Sequence, residues 1–366
     1  MKKLLTTIAL LCFSVAALVI VACANNPSYS KDDTEEKRLQ KFESWLESLD
    51  QKKKISGTFL FARKGEVIYT NAFGNVHPEK STKITTHSSF NLASVSKQFT
   101  GMGIMLLESQ GKLKIDDKIQ HYLPQFIYPH ITIRQLLNHT SGVTEYMVLT
   151  EKYWDKSKTF TNEDMLDLFT QHKPKLNFTP GDKFQYSNTG YVTLSAIIEK
   201  VSGGSFADYL DENIFSKLDM NHTQVINLLS EGDILETRVY GQHGGTLNDL
   251  VYLDGVTGDG AVYSSVHDLM RWHKALLNNE LLSKEEQEEA FKPAVLNDGS
   301  KSYYGFGWEL DKKHPSIISH SGGWLGFRTH IICYLGKDEV LVILTNDTKG
   351  VGLGNLVSSF SKVFNP

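Results

Sequence analysis

The sequence predicts an α+β fold in which an antiparallel sheet, flanked by helices from the two ends of the chain, carries a mainly helical insertion. Three observations predict it. Helical periodicity near the N-terminus gives way at once to a strand pair. The stretch from Ser94 to Leu277 reads as helix and loop. Strand-like patterning returns between Tyr304 and Thr345, ahead of a last amphipathic run. Strands at both ends of a chain must pair to bury their apolar faces, so the middle becomes an insertion.

Element by element, Leu39, Phe42, Trp45, Leu46 and Leu49 recur at helical spacing and predict a helix over Thr34–Leu49. Gly57–Arg63 and Glu66–Phe73 read as strands joined at Lys64-Gly65. A helix begins at Ser94 and carries the apolar run Phe99–Leu107, and another covers Tyr191–Val201 after the turn Phe178-Thr179-Pro180-Gly181-Asp182. Ser316–Ser319 and Phe327–Tyr334 read as strands, and Val351–Phe364 as the closing helix. Composition is that of a globular enzyme, 40% hydrophobic and 22% charged, with no low-complexity tract and no internal repeat, so residues 35–366 form a single unit.

The chemistry is read first at Phe90-Asn91-Leu92-Ala93-Ser94-Val95-Ser96-Lys97. Residues three apart on a helix share a face, and a serine becomes a strong nucleophile only when a base takes its proton. Lys97 serves as that base only if its surroundings bring its pKa below the reference value of roughly 10.4. Ser-x-x-Lys alone is weak, for the chain repeats it at Ser28/Lys31, Ser109/Lys112 and Ser359/Lys362. Only Ser94 begins a long apolar helix.

Two more motifs follow in order. Tyr186-Ser187-Asn188 supplies a proton-relaying phenol and an amide, although a serine or asparagine before an apolar run is also an ordinary N-cap. His320-Ser321-Gly322-Gly323 offers glycines that let a ligand approach the backbone, although taken alone it reads as a glycine-rich hairpin turn, as His243-Gly244-Gly245 does.

In that order, Ser94-x-x-Lys97, Tyr186-x-Asn188 and His320-x-Gly322 resemble the beta-lactamase-related serine hydrolases. That family includes class C beta-lactamases, D-alanyl-D-alanine carboxypeptidases, D-aminopeptidases and family VIII esterases. The stretches Ile133–Gly142, Gly260–Ser265 and Tyr304–Trp308 are similar to it as well, so the likeness runs from about Ile55 to the C-terminus. It implies a beta-lactamase/transpeptidase-like fold with the site in the cleft between sheet and helical region. It further implies Ser94 as the acyl-accepting nucleophile, Lys97 as its activating partner and Tyr186 as the proton-exchanging group. Asn188, His320 and Gly322 would bind substrate, and the backbone N–H groups of Ser94 and Gly323 would form an oxyanion hole. The beta-lactamases carry Lys-Thr-Gly or a close relative where this chain has His320-Ser321-Gly322. A histidine there resembles the peptidase and esterase branches, and it is neutral at working pH far more often than a lysine.

Other schemes fit less well. There is no Gly-x-Ser-x-Gly elbow, no His-Glu-x-x-His helix and no phosphate-binding loop, and the 13 histidines form no ligand cluster. No metal and no organic cofactor are expected. His139 reads as a structural turn residue. Tyr146, Trp154, Tyr303 and Trp324 are candidates for cleft walls, with core packing as the commoner role. The long loop Thr144–Phe160 is expected to set substrate choice.

The basic start Met1-Lys2-Lys3, the apolar run Leu4–Val21 and Ile20-Val21-Ala22-Cys23 resemble a bacterial lipoprotein leader. The competing reading is an uncleaved anchor helix. On the first reading residues 1–22 are a signal peptide, Cys23 carries lipid, and polar residues 23–34 tether the enzyme in the cell envelope, on the extracytoplasmic side of a bacterial membrane. Losing Lys2 and Lys3 takes the formal charge from −4 to −6, which argues against a nucleic-acid partner. Cys12 leaves with the leader and Cys23 is modified, so Cys333, in an apolar strand pattern, has no disulfide partner.

These features point to a serine hydrolase working through an acyl-enzyme on an ester or a D-amino-acid-containing peptide, with a peptidoglycan stem as one such substrate. The alternatives are a beta-lactamase and a non-catalytic cell-wall or penicillin-binding protein.

Overall fold

The computed structural model describes residues 26–365 apart from 231 and 233, so the leader and Cys23 lie outside the described residues. A six-stranded antiparallel sheet is built from β1 (Gly57–Arg63), β2 (Glu66–Phe73), β3 (Glu309–Leu310), β4 (Ile317–Trp324), β5 (Phe327–Tyr334) and β6 (Glu339–Thr345). Its order is β3-β4-β5-β6-β1-β2. Strands from both ends of the chain therefore meet where β1 pairs with β6, Gly57 opposite Thr345 and Arg63 opposite Glu339.

The alternation along β1 and β6 explains the layers. Phe59, Phe61, Leu341 and Ile343 face helices α1 (Glu35–Gln51) and α5 (Leu353–Phe364), and Leu60, Val342 and Leu344 face the larger core. On the first side Phe42 stacks on Phe360 with centroids 4.8 Å apart, and Phe61 stacks on Phe364 at 3.7 Å. Each such ring contributes about 1.5–3 kcal/mol by leaving water. Thr34 caps α1 by accepting from the Lys37 N–H. The stretch 23–34 docks on the domain from Tyr29 onward, whose hydroxyl donates to the Ser359 carbonyl, and buried Asp33 holds Lys37 and Lys41.

On the other side lies the helical insertion around α2 (Lys97–Ser109), α3 (Asn188–Ser202) and α4 (Val266–Asn278). The first eleven residues of α2 are buried, and Phe99 packs on Trp272 of α4. The stretch Thr144–Phe160, read as a loop, holds a helix over Tyr146–Tyr153, because Tyr146 and Leu149 share a buried face. No helix among the described residues is long and apolar enough to cross a membrane.

Candidate active site

Ser94 sits in a tight 3-10 turn, Ala93–Ser96, that runs into α2. Its backbone N–H lies in the first turn, where helical donors lack internal acceptors. Ala93 adopts φ +49°, a left-handed conformation costly for a residue with a Cβ. The surroundings hold it there: Asn91 Oδ1 accepts from the Ala93 N–H at 2.8 Å, and Thr329 Oγ1 donates to the Leu92 carbonyl at 2.7 Å.

Lys97 is fully buried and lies below the serine. Its Nζ donates to Ser94 Oγ at 3.2 Å, to Asn188 Oδ1 at 2.9 Å and to the Asp259 carbonyl at 2.7 Å. All three acceptors are uncharged. Burial therefore lowers the ammonium pKa to about 8, against the opposing charges of Asp259 and Glu145.

Tyr186 and Asn188 approach from the start of α3. Ser187 between them is the N-cap, accepting from the Gly190 N–H, so the capping role and the site placement coexist. The Tyr186 ring lies 5.0 Å from Lys97 Nζ. Its hydroxyl is buried beside Ser94 and makes no hydrogen bond of ordinary geometry to a described residue. Burial holds it well above the usual tyrosine pKa, so it stays a phenol.

The His320 motif is not a turn. It lies within β4, which turns only at Leu325-Gly326. His320 is 1% exposed. Its Nδ1, 2.7 Å from the Ser321 carbonyl, must donate, so Nε2 accepts from the Tyr304 hydroxyl at 2.8 Å. Burial, reinforced by Lys97, lowers its pKa to about 3 and keeps it neutral. Both ring nitrogens of His320 are partnered within the protein, and its ring lies 6.2 Å from that of Tyr186, centroid to centroid.

Gly322 packs closely on the Ser94 turn. A Cβ there would stand 2.2 Å from the Leu92 carbonyl and 2.3 Å from Thr329 Oγ1. The bare glycine is what lets β4 lie against the Ser94 turn. Gly322→Ala should cost about 1–3 kcal/mol in urea denaturation and slow acylation of Ser94 as strand and turn separate; unchanged stability and rate would refute this.

Gly323 is exposed on β4. The Ile317 carbonyl accepts from the Asp311 N–H on the β3 side, so by the two-residue period Ser321 and Gly323 present their backbone groups to that same edge. β3 pairs only with Ile318 and Ser319. Beyond it the edge of β4 has no strand partner among the described residues.

Five further residues line or brace the site, of which His139 and Tyr304 fall in stretches already noted for family likeness. Glu145 accepts from the Asn188 N–H at 2.8 Å, and burial lifts its carboxyl to about 7. Asp259 is buried and accepts from the Tyr146 hydroxyl at 3.2 Å. Tyr304 anchors His320, and exposed Phe184 stands 5.9 Å from the Tyr304 ring. His139, with φ +59°, accepts from the Ser187 N–H through Nδ1 and so braces the turn carrying Tyr186. Trp154 and Tyr303 are half-buried against the core, and Trp324 donates to Asp254 Oδ1 at 2.7 Å. Cys333 is buried, and burial pushes its thiol pKa up.

The model of the Beta-lactamase family matches residues 42–356. The chain belongs to the beta-lactamase family. It is 40% identical over 316 residues to Penicillin-binding protein 4* of Bacillus subtilis (strain 168), covering 82% of this chain and 70% of that one. Among solved structures it superposes on a penicillin binding protein from Bacillus halodurans with TM-score 0.74 and 26% identity, covering 87% of this chain and 99% of that one. EstCE1, titled a hydrolase with promiscuous acyltransferase activity, shares the fold at TM-score 0.73 and 21% identity, covering 91% and 98%. The chain thus has the beta-lactamase/transpeptidase-like fold.

Proposed function

We propose that the protein is an acyl-enzyme serine hydrolase that cleaves a D-amino-acid-containing peptide or an ester. The observation that carries it is a fully buried lysine bonded to uncharged acceptors only, 3.2 Å from Ser94 Oγ. In that setting Lys97 reaches its neutral form near pH 8 and takes the serine proton as Oγ attacks the carbonyl. Charge on the carbonyl oxygen is met by the backbone N–H groups of Ser94 and Gly323, each such donor contributing typically about 10²–10³ in rate. The buried Tyr186 phenol donates a proton to the leaving group. Asn188 Oδ1 is committed to Lys97, so its amide nitrogen orients the substrate. The bond formed is Ser94 Oγ to acyl carbon, the bond broken is acyl carbon to leaving nitrogen or oxygen, and water releases the acid.

The 40% likeness to a protein named for penicillin binding supports the D-peptide reading, with peptidoglycan as the polymer source. Exposed Phe184 beside the site suits an apolar acyl chain and favours the ester reading. Neutral, enclosed His320 supplies no cation, which weighs against fast beta-lactam turnover. Benzylpenicillin, a D-alanyl-D-alanine peptide and a short-chain ester, each followed by intact mass and peptide mapping, test this. An adduct on Ser94 is expected from at least one, and none from any would overturn the proposal.

We also propose lipid attachment at Cys23 outside the cytoplasmic membrane, supported by the basic start, the apolar run and Ala22 before the cysteine. Cys23→Ser should move the protein from the membrane to the soluble fraction, and its retention there would count against the anchor.

A further inference from the structure

A cavity of about 380 Å³ lies at the end of the sheet away from the Ser94 turn, between α4, the segment Lys217–Asp219 and the hairpin ends at Gly65 and Asp338. Gly323 pairs with Arg328 and Arg328 with Thr345, whereas Asp338 adjoins Glu339 at the opposite end of β6. Six residues of strand separate those ends, about 20 Å. The volume is within the roughly 300–1,000 Å³ range of small-molecule sites.

The decisive side chain is His273 of α4, which lines the cavity and is 3% exposed. Among the other buried histidines of the described residues, His139 and His330 each have one ring nitrogen bonded and His320 has both. His273 has neither: Nε2 stands 3.6 Å from Asp338 Oδ1, too long for a hydrogen bond, and Nδ1 has no partner. Burial lowers its pKa to about 4 against the charge of Asp338, so the ring is neutral and offers one donor and one acceptor. A buried ring without partners costs stability, and a ligand seated in the cavity would supply them.

The rim sets the charge of that ligand. Lys217, Arg271 and Lys274 bring three cations to it, and Asp219, Glu280 and Asp338 bring three carboxylates. None of the six is ion-paired with another: Arg271 Nη1 donates to the Asp219 carbonyl at 2.6 Å, and Glu280 Oε1 accepts from Asn278 Nδ2 at 3.0 Å. Both signs are present and they balance, so the complementary ligand is neutral overall and carries a positive and a negative group close together. A free α-amino acid has that pattern, with its carboxylate and ammonium on one carbon.

We propose that this cavity is a second binding site, remote from Ser94, for a small zwitterionic amino acid that hydrogen-bonds His273 and meets the mixed charges of the rim. It stands apart from the acyl-enzyme reading, because binding is read without turnover. The full-length protein in detergent would be melted alone and with D-alanine, sodium phosphate or ammonium chloride, each at about 10 mM, and D-alanine should raise the melting temperature by roughly 2–4 °C. Neither single-signed ion should match it. His273→Leu, which removes the unpartnered ring, should melt about 2 °C above the wild type without ligand and lose the response to D-alanine. Lys274→Glu, on the exposed rim, should keep the wild-type melt and lose the response, so the outcome does not depend on how His273→Leu folds. No shift with D-alanine, or a shift that survives Lys274→Glu, would overturn the site. A phosphate shift equal to that of D-alanine would overturn the ligand class and leave a simple anion site.

Discussion

Ser94→Ala is expected to abolish acyl transfer, by about 10⁴-fold or more, while leaving thermal melting within about 1 kcal/mol of the wild type. The separation of the two effects comes from position. Ser94 is partly exposed at the start of a buried helix, and the change removes one hydroxyl that accepts from Lys97 at 3.2 Å. Lys97 keeps Asn188 and the Asp259 carbonyl as acceptors. The strained Ala93 is held by Asn91 and by the Thr329–Leu92 contact, neither of which involves the serine hydroxyl. Turnover of whichever donor labels the wild type, measured beside a melt, checks this. Residual turnover near the wild-type rate would remove Ser94 from the nucleophile's role.

Lys97→Met should lower acylation by about 10²–10⁴-fold, the range for losing a positioned base. The wild type should show a rate that rises with pH through about 8 and levels above it, because only neutral Lys97 accepts the serine proton. Stability carries the same signature. The folded lysine gives up its proton near 8 and the unfolded one near 10.5, so between those values the unfolded state binds more protons and stability rises with pH. Below about 8 the buried cation costs stability, on the order of 3 kcal/mol for a shift of this size. The difference in stability between wild type and Lys97→Met should therefore move in the wild type's favour between pH 8 and 10.5. A difference that stays flat with pH, together with a flat acylation profile, would mean that Lys97 titrates normally and is not the base.

How far the site could be read beforehand depended on how local its geometry is. Ser94 and Lys97 were legible because helix geometry alone sets two residues three apart on one face, and the apolar run behind them marked the helix as buried. The Tyr186 motif was legible as a cap, which it is, and its ring stands beside Lys97. The partners of His320 were not legible, because periodicity along β4 says which residues share a face, not what that face meets. Glu145 and Asp259 carried no signal, being ordinary letters drawn to Asn188 and Lys97 from distant segments, and although Tyr304 lay in a stretch of family likeness its bond to His320 was not legible.

By itself the sequence determined the order of the three motifs, the helical face shared by nucleophile and base, and the pairing of strands from the two chain ends, all of which follow from covalent spacing and the periods of helix and strand. Only the tertiary structure decided protonation and partners: that Lys97 has no charged acceptor, that Tyr186 stays a phenol, and that both ring nitrogens of His320 are bonded within the fold. Desolvation and counter-charge depend on what surrounds a group in three dimensions, and those neighbours come from segments far apart in the chain.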